Sequence, residues 1–379
     1  MWDWIQLRMF NLWGWWPKVI KDPRKRVMMR IYGYCMFGLD SATMIAEFVS
    51  LYLAVVNGSF RGAIVNIVTT TLGATAAMKI YTLLVHHEFI SHICNTLEDL
   101  NNRAIALMGE ESQVTMGTRK RNCKLTFVFV GSCLFTVCHY NVRPILVYTL
   151  YGERTIAMDM WTPWDEQTSL SGWVIVLIYE WIHIAAAMYG MVVFDSFVLC
   201  IFEMVLAEFD VLKIALKKVD FAAEKNAVPI EFCIQFHQDL LVLIAKINDF
   251  LIPIQTFQCI MLTLTICFSG FELVSLSDVS MNKAANLLEV LGASTYITFG
   301  YCYQCHCITE ECVEVITTAC DNNWFEGSIK DQKSLSILLE RAKNPISFGN
   351  IIKFDLGCFI AIIKTAFSYY QVLEAFDIH

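Results

Sequence analysis

Apolar positions in this chain fall into long blocks rather than short alternating runs, and about 20 mostly apolar residues are what a helix needs to cross a bilayer core. Seven such blocks lie at about 31–56, 62–85, 125–151, 173–206, 251–275, 285–308 and 350–373. The fourth is long enough to run past the membrane. Segments near 86–123, 207–250 and 309–349 are charged, helix-prone and too long for turns, whereas the other connections are short or carry the turn formers Gly58 and Pro163. The pattern predicts an all-α integral membrane protein of seven transmembrane helices. It divides into a segment 1–30, helices one to six over 31–308, a helical segment 309–349, and a seventh helix with a short tail over 350–379.

The seventh block differs from the rest. It keeps Lys353, Asp355 and Lys364 within or beside its apolar run, which a helix surrounded by lipid rarely does. Such a helix suits the lining of something wet, and a pore is the obvious candidate.

Composition agrees with the membrane reading, since 56% of the 379 residues are hydrophobic, only 17% are charged and the mean hydropathy is +0.50. The net charge of −8 is spread over loops without an acidic tail or block, so no nucleic-acid partner is expected. The aromatic and basic N-terminus lacks the apolar core and small-residue site of a cleavable signal peptide, which leaves the first span as the expected targeting signal.

Basic residues near span ends stay on the cytoplasmic side. With the N-terminus inside, 22 of the 28 Lys and Arg are cytoplasmic, and only Arg61, Arg143, Arg154 and Lys283 fall outside. The expected orientation is therefore N-terminus cytoplasmic and C-terminus extracellular. Asn57-Gly58-Ser59, a glycosylation acceptor, then falls in the first outer loop with Asn57 accessible. None of the fifteen cysteines lies in an outer loop, and no structural disulfide is expected.

From Tyr301 onward the chain resembles the insect odorant receptor family. The residues that carry the resemblance are Tyr301-Cys302-Tyr303, Thr309-Glu310-Glu311, Ala319, Asn323-Trp324, Lys333-Ser334-Leu335, Arg341-Ala342-Lys343, and the run Ile363-Lys364-Thr365-Ala366-Phe367-Ser368-Tyr369-Tyr370. Looser matches are Trp161-Thr162-Pro163-Trp164-Asp165 and Asp195-Ser196. Cys305 stands where many members carry Gly. The chain lacks the long insertion in the second inner loop that marks the shared co-receptor, so it resembles an odorant-specific subunit.

The resemblance implies a heterotetrameric, non-selective cation channel in the plasma membrane of olfactory-neuron dendrites, assembled with co-receptor subunits and opened by a small volatile odorant. The seventh helix would line the pore for permeant cations, and segments 207–250 and 309–349 would form a helical cytosolic anchor. Carried onto this sequence, the gate falls at Val372 and Phe376, one turn apart on one face. An apolar ring there would narrow and dewet the path. Ser368 is the next lining residue inward, and Glu374 near the outer mouth would favour cations. Lys364, at mid-membrane, is expected to pack aside rather than line the path.

An odorant needs a small, largely apolar cavity with one or two orienting polar groups. The resemblance puts it in the outer halves of helices two, three, four and six. Residues there at helical spacing are Ile67 and Thr71, Phe135 and His139, Tyr179 and His183, and Leu288 and Tyr296. The two histidines stand out, because a polar ring inside an apolar span needs a hydrogen-bond partner.

No cofactor or metal is expected. Cys302-Tyr303-Gln304-Cys305-His306 has the haem-attachment spacing but sits on a membrane helix, and His86, His87 and His92 are too few to complete a metal site. No convergent catalytic set is visible, so an enzyme is not expected. A gustatory receptor channel of the same superfamily is the nearest alternative. A G-protein-coupled receptor is disfavoured by the orientation and by Asn344-Pro345-Ile346-Ser347-Phe348, which precedes the last span instead of lying within it.

Overall fold

A chain that enters hydrocarbon must satisfy its backbone hydrogen bonds internally, and the long apolar runs accordingly become helices. The computed structural model describes residues 5–16, 20–109, 114–158, 160–164, 169–222, 228–275, 281–350 and 352–377. Among them the order is α1 (Ile5–Phe10), α2 (Pro23–Val56), α3 (Phe60–Val85), α4 (His87–Met108), α5 (Val114–Tyr151), α6 (Leu170–Lys217), α7 (Ile230–Ser275), α8 (Met281–Cys320), α9 (Ile329–Ala342) and α10 (Leu356–Asp377). Six of the seven predicted spans lie within α2, α3, α5, α6, α7 and α8, and the seventh overlaps α10. By length and apolarity alone, the described parts of α2, α3, α6, α7 and α10 each suffice to cross a membrane.

Local chemistry sets the helix starts. Asp22 accepts the amide of Arg24 ahead of Pro23, Ser59 caps α3 through Gly62, Ser169 caps α6 through Gly172, and Ser328 caps α9 through Asp331. With 48, 46 and 40 residues, α6, α7 and α8 are about 60–70 Å long, twice the hydrocarbon thickness of about 30 Å. Their surplus packs into the densest part of the molecule. Phe209, Leu212, Phe236, Leu240, Ile244, Ile308, Val315 and Leu338 are buried there. Lys213 of α6 reaches Glu311 of α8 at 2.7 Å, Arg103 of α4 reaches Asp239 of α7 at 2.8 Å, and Lys330 of α9 reaches Glu231 of α7 at 2.9 Å.

The N-terminal segment, which reads in sequence as an aromatic and basic flank, is tucked into the bundle. Phe10 meets Phe197 edge to face at 5.9 Å, Gln6 donates to Thr126 at 2.8 Å, and Trp15 lies against Gly190. A side chain at Gly190 would come within 2.9 Å of the indole, so only glycine admits it.

One buried charge cluster ties three spans together. Lys79 of α3 contacts Asp195 of α6 at 2.7 and 2.9 Å, and the Tyr301 hydroxyl of α8 donates to the same carboxylate at 2.6 Å. All three are almost wholly buried. Each lies about 20–25 residues from the start of its helix, a rise of roughly 30–38 Å. Further along the same two helices, Gln304 of α8 donates to Glu203 of α6, which also takes Arg121 of α5, and Lys213 to Glu311 follows. The polar rungs hold α6 and α8 in fixed register.

Lys79→Met leaves the Asp195 carboxylate buried without its cation and is expected to cost about 3–5 kcal/mol, seen as loss of the monodisperse peak in fluorescence-detected size exclusion. Adding Asp195→Leu should restore much of that peak; a single Lys79→Met that folds like the parent would count against the cluster.

His237, on the stretch of α7 ahead of its apolar run, is held down at about 4 by burial and then by the Arg341 charge. It stays neutral in the fold, whereas the unfolded chain takes up the proton near 6.5. Stability should therefore fall as pH drops from about 6.5 toward 4, and His237→Gln should flatten that part of the melting-temperature profile. Parallel profiles for both proteins would remove His237 from the acid response.

Candidate ligand pocket and pore helix

The stretch leading into α10 is a bent connector, so the seventh helix starts at Leu356 and not at residue 350 as the hydropathy pattern implies. Gly349, at φ +88°, makes the bend; a side chain there would lie 1.8 Å from the Ile352 carbonyl. Its amide donates to Asn248 of α7 at 2.8 Å, the amide of Phe354 donates to the Phe348 carbonyl at 3.0 Å, and Asp355 accepts the amide of Cys358 at 2.8 Å to start the helix. Phe348 and Phe354 are buried. Phe348 meets Phe202 of α6 edge to face at 5.5 Å, and Phe202 meets Tyr301. The buried charge cluster and the foot of α10 are therefore in one chain of contacts.

Above its foot, one side of α10 packs on the bundle among the described residues. Ile362 and Ala366 are buried, and α7 and α8 are its neighbours. Ser368 and Val372, at i and i+4, are exposed, and Lys364 shares their side one turn nearer the foot. Among the described residues of the single chain, Lys364 is exposed. The side chains of Glu374 and Phe376 lie outside the described residues.

The eight residues predicted for a ligand cavity make different contacts among the described residues. Tyr179 and His183 turn toward α2, a helix that the sequence reading left out of the pocket: the tyrosine hydroxyl is 2.8 Å from Thr43, and His183 Nδ1 is 3.3 Å from Asp40. Thr71 shares a hydrogen bond with Thr265 of α7 at 3.1 Å, and Ile67, one turn away, is half-buried. Phe135, Leu288 and Tyr296 point outward, each more than half exposed. The reason is physical: α5, α6 and α8 are apolar around most of their circumference within the membrane, so a 3.6-residue period marks no inner face.

His139 is the member that meets a second helix across the α5 and α8 junction. Its Nδ1 lies 3.7 Å from Glu289, and Thr136, three residues earlier on α5, donates to the same carboxylate. The group is half-buried, with Tyr140 edge-on to the imidazole at 5.7 Å. Glu289 was missed in the sequence, although a carboxylate within an apolar run is itself a signal. Glu180 of α6 was missed too; wholly buried, it accepts the amides of Ala157 and Met158 and draws the loop after α5 down onto the bundle. In the same loop Trp161 donates its amide to Ala46 of α2 at 3.2 Å. Asn57 is exposed at the end of α2.

A family model described as 7tm Odorant receptor matches residues 59–367, well over half of the chain. The chain belongs to the odorant receptor family. Among curated Drosophila melanogaster relatives, odorant receptor 42b is 22% identical over 75% of this chain and 70% of its own length. Putative odorant receptor 69a, isoform B, is 25% identical over 81% and 78%. In fold, the chain is similar to the insect olfactory receptor OR5 from Machilis hrabei in complex with eugenol, with TM-score 0.86 and 14% identity over 98% of this chain and 97% of that one. A second structure of that receptor gives a TM-score of 0.80 and 15% identity over 97% of this chain and 96% of that one.

In this odorant receptor the C-terminal signature turns out to be a set of joints. Tyr301 closes the buried charge cluster, Thr309 donates to the Ile346 carbonyl at 3.2 Å, and Arg341 donates to the Asn344 carbonyl at 3.4 Å. Asn323 donates to Asp220 and accepts the amide of Phe221, fixing the end of α6 to the end of α8. Ala319, Leu335 and Ala342 are buried in the packed extension. The matched residues thus position α10 from below.

Glu289→Gln and His139→Ala are each expected to shift odorant concentration dependence several-fold with assembly intact. Because they touch, the double variant should shift by less than the sum. Curves that superimpose on the parent across a panel of volatiles would detach this junction from ligand sensing.

Proposed function

We propose that the receptor is the odorant-specific subunit of a heterotetrameric, ligand-gated, non-selective cation channel, assembled with co-receptor subunits in the plasma membrane of olfactory-neuron dendrites. The observation that carries the proposal is the uncovered face of α10. A membrane-length helix that leaves Lys364, Ser368 and Val372 exposed among the described residues either meets lipid, where an ammonium is expensive, or meets water and other copies of itself. Four such faces around an axis make a pore.

In that arrangement Val372 and Phe376 form the apolar constriction, Ser368 follows inward, and Glu374 sits at the outer mouth to favour cations. The basic-residue bias orients the N-terminus to the cytosol and the C-terminus outside. The packed extensions of α6, α7 and α8, with α9, then lie in the cytosol and serve as the anchor between subunits. A similar receptor bound to eugenol supports a small organic ligand, and the half-buried group of His139, Thr136 and Glu289 is where such a ligand finds polar contacts. Opening follows from differential affinity: the ligand shifts the gate only as far as it binds the open arrangement more tightly.

Cells expressing this chain with a co-receptor should carry inward cation current on exposure to small volatiles, and cells lacking the chain should not respond to the same compound. With the co-receptor present, Val372→Ser should raise current in the absence of odorant. Absence of any volatile-evoked current with the co-receptor present would overturn the channel reading, and unchanged leak would move the constriction away from Val372.

A further inference from the structure

The head of α2 carries Lys21, Arg24, Lys25, Arg26 and Arg30 against a single carboxylate, Asp22. That carboxylate is occupied by the helix start, where it accepts the Arg24 amide at 2.9 Å. Arg26 is occupied as well: its guanidinium donates twice to the Ile20 carbonyl, at 2.8 and 3.0 Å, and fixes the chain just ahead of the helix. Lys21, Arg24, Lys25 and Arg30 are exposed, and among the described residues none of their side chains has an acidic partner. The packed extension is different. There Lys213, Lys330, Lys343 and Arg103 each reach a carboxylate at 2.7–2.9 Å. The receptor's own acids neutralise those cations and leave the head of α2 open.

The same face of α2 continues as apolar surface. Arg24, Met28 and Ile31 lie at i, i+4 and i+7, and Val27, Arg30 and Tyr34 form the adjoining row at i, i+3 and i+7; all six are exposed. The N-terminal segment closes one flank. It crosses α2 at Gly33, where a side chain would come within 2.5 Å of the Gly14 carbonyl oxygen. Further back in the same segment, Gln6 reaches Thr126 of α5, whose preceding turns expose Lys120 and Lys124.

Unpaired cations that lead directly into an exposed apolar face match a ligand with an anionic head and a hydrocarbon body. A soluble anion, a nucleic acid or an acidic protein would meet the cations and leave the apolar rows in water.

We propose that the head of α2, with the N-terminal segment beside it, is a binding site for an anionic phospholipid. The headgroup lies among Lys21, Arg24 and Lys25, and the acyl chains run along Met28, Ile31 and Tyr34. Arg30, about 9 Å further along the helix, carries its charge back to headgroup level on its own apolar stem. Each Lys or Arg close to an anionic leaflet contributes roughly fivefold in affinity, and the attraction weakens as salt rises. The assignment to the cytoplasmic leaflet rests on the orientation in the proposed function; the binding itself does not.

The test uses the full-length receptor in phosphatidylcholine nanodiscs doped with a phosphatidylserine whose acyl chain is photoactivatable, followed by digestion and mass spectrometry. Both leaflets of a nanodisc have one composition and meet one buffer, so the result depends neither on which way the receptor faces nor on whether it conducts. The expected label falls on residues 24–36, several-fold above that from an equal load of photoactivatable phosphatidylcholine, and declines as ionic strength rises. Equal labelling by the two lipids in the parent receptor would overturn the proposal without any variant, and so would label that free inorganic phosphate displaces at constant ionic strength. Replacing Lys21, Arg24 and Lys25 together by Gln should cut the phosphatidylserine label at least tenfold, whereas Lys21→Arg with Lys25→Arg should keep it. Label retained by the neutral triple variant would also overturn the site. A receptor that takes the label yet carries no odorant-evoked current with its co-receptor would contradict the channel reading alone; one that conducts without discriminating the two lipids would contradict the lipid site alone.

Discussion

A charge buried within a membrane bundle must keep its partner at hand, and in this receptor that requirement fixes the relative position of three helices. Lys79, Asp195 and Tyr301 come from α3, α6 and α8, and none of the three can leave the cluster without stranding a polar group in a dry interior. From Tyr301 the contact passes to Phe202 and on to Phe348, and the bend at Gly349 then delivers the chain into α10. The helix proposed to gate ions is thus hung from a buried electrostatic joint.

Packing is uneven along the molecule, and the unevenness suits a device that must move. The extensions of α6, α7 and α8 bury nearly every apolar side chain they share and add ion pairs at their edges. Toward the other end, α10 buries one narrow side and the α5 and α8 junction is held by a half-buried carboxylate and imidazole. A stiff base with a loosely held upper bundle suits the proposed function, in which a small ligand biases α10 without unfolding its support.

Much of the architecture was legible in the sequence because lipid imposes a simple code. Seven apolar blocks became seven helices, and the length of the fourth foretold an α6 that runs well past the membrane. The same uniformity hid the rest. In α5 and α6 apolar residues surround the helix, so nothing local said that Tyr179 and His183 turn to α2 or that Phe135 turns outward. Lys79 and Asp195 were visible as ionisable residues within spans, but their pairing spans 116 positions and is set by the fold. The burial of Trp15 against Gly190 was equally hidden, since a tryptophan beside lysines reads as a membrane-surface flank.

The joint between the buried cluster and α10 is most directly tested by amide hydrogen exchange over residues 348–360 in the Tyr301→Phe receptor. That variant removes one hydroxyl hydrogen bond, 2.6 Å long, and leaves the aromatic ring in place. If Tyr301 transmits order to the foot of α10, the amides of Phe354 and Cys358 should exchange faster while those of the α6 and α7 extensions keep their rates. Unchanged exchange at the foot, in a variant that has lost stability elsewhere, would contradict the joint.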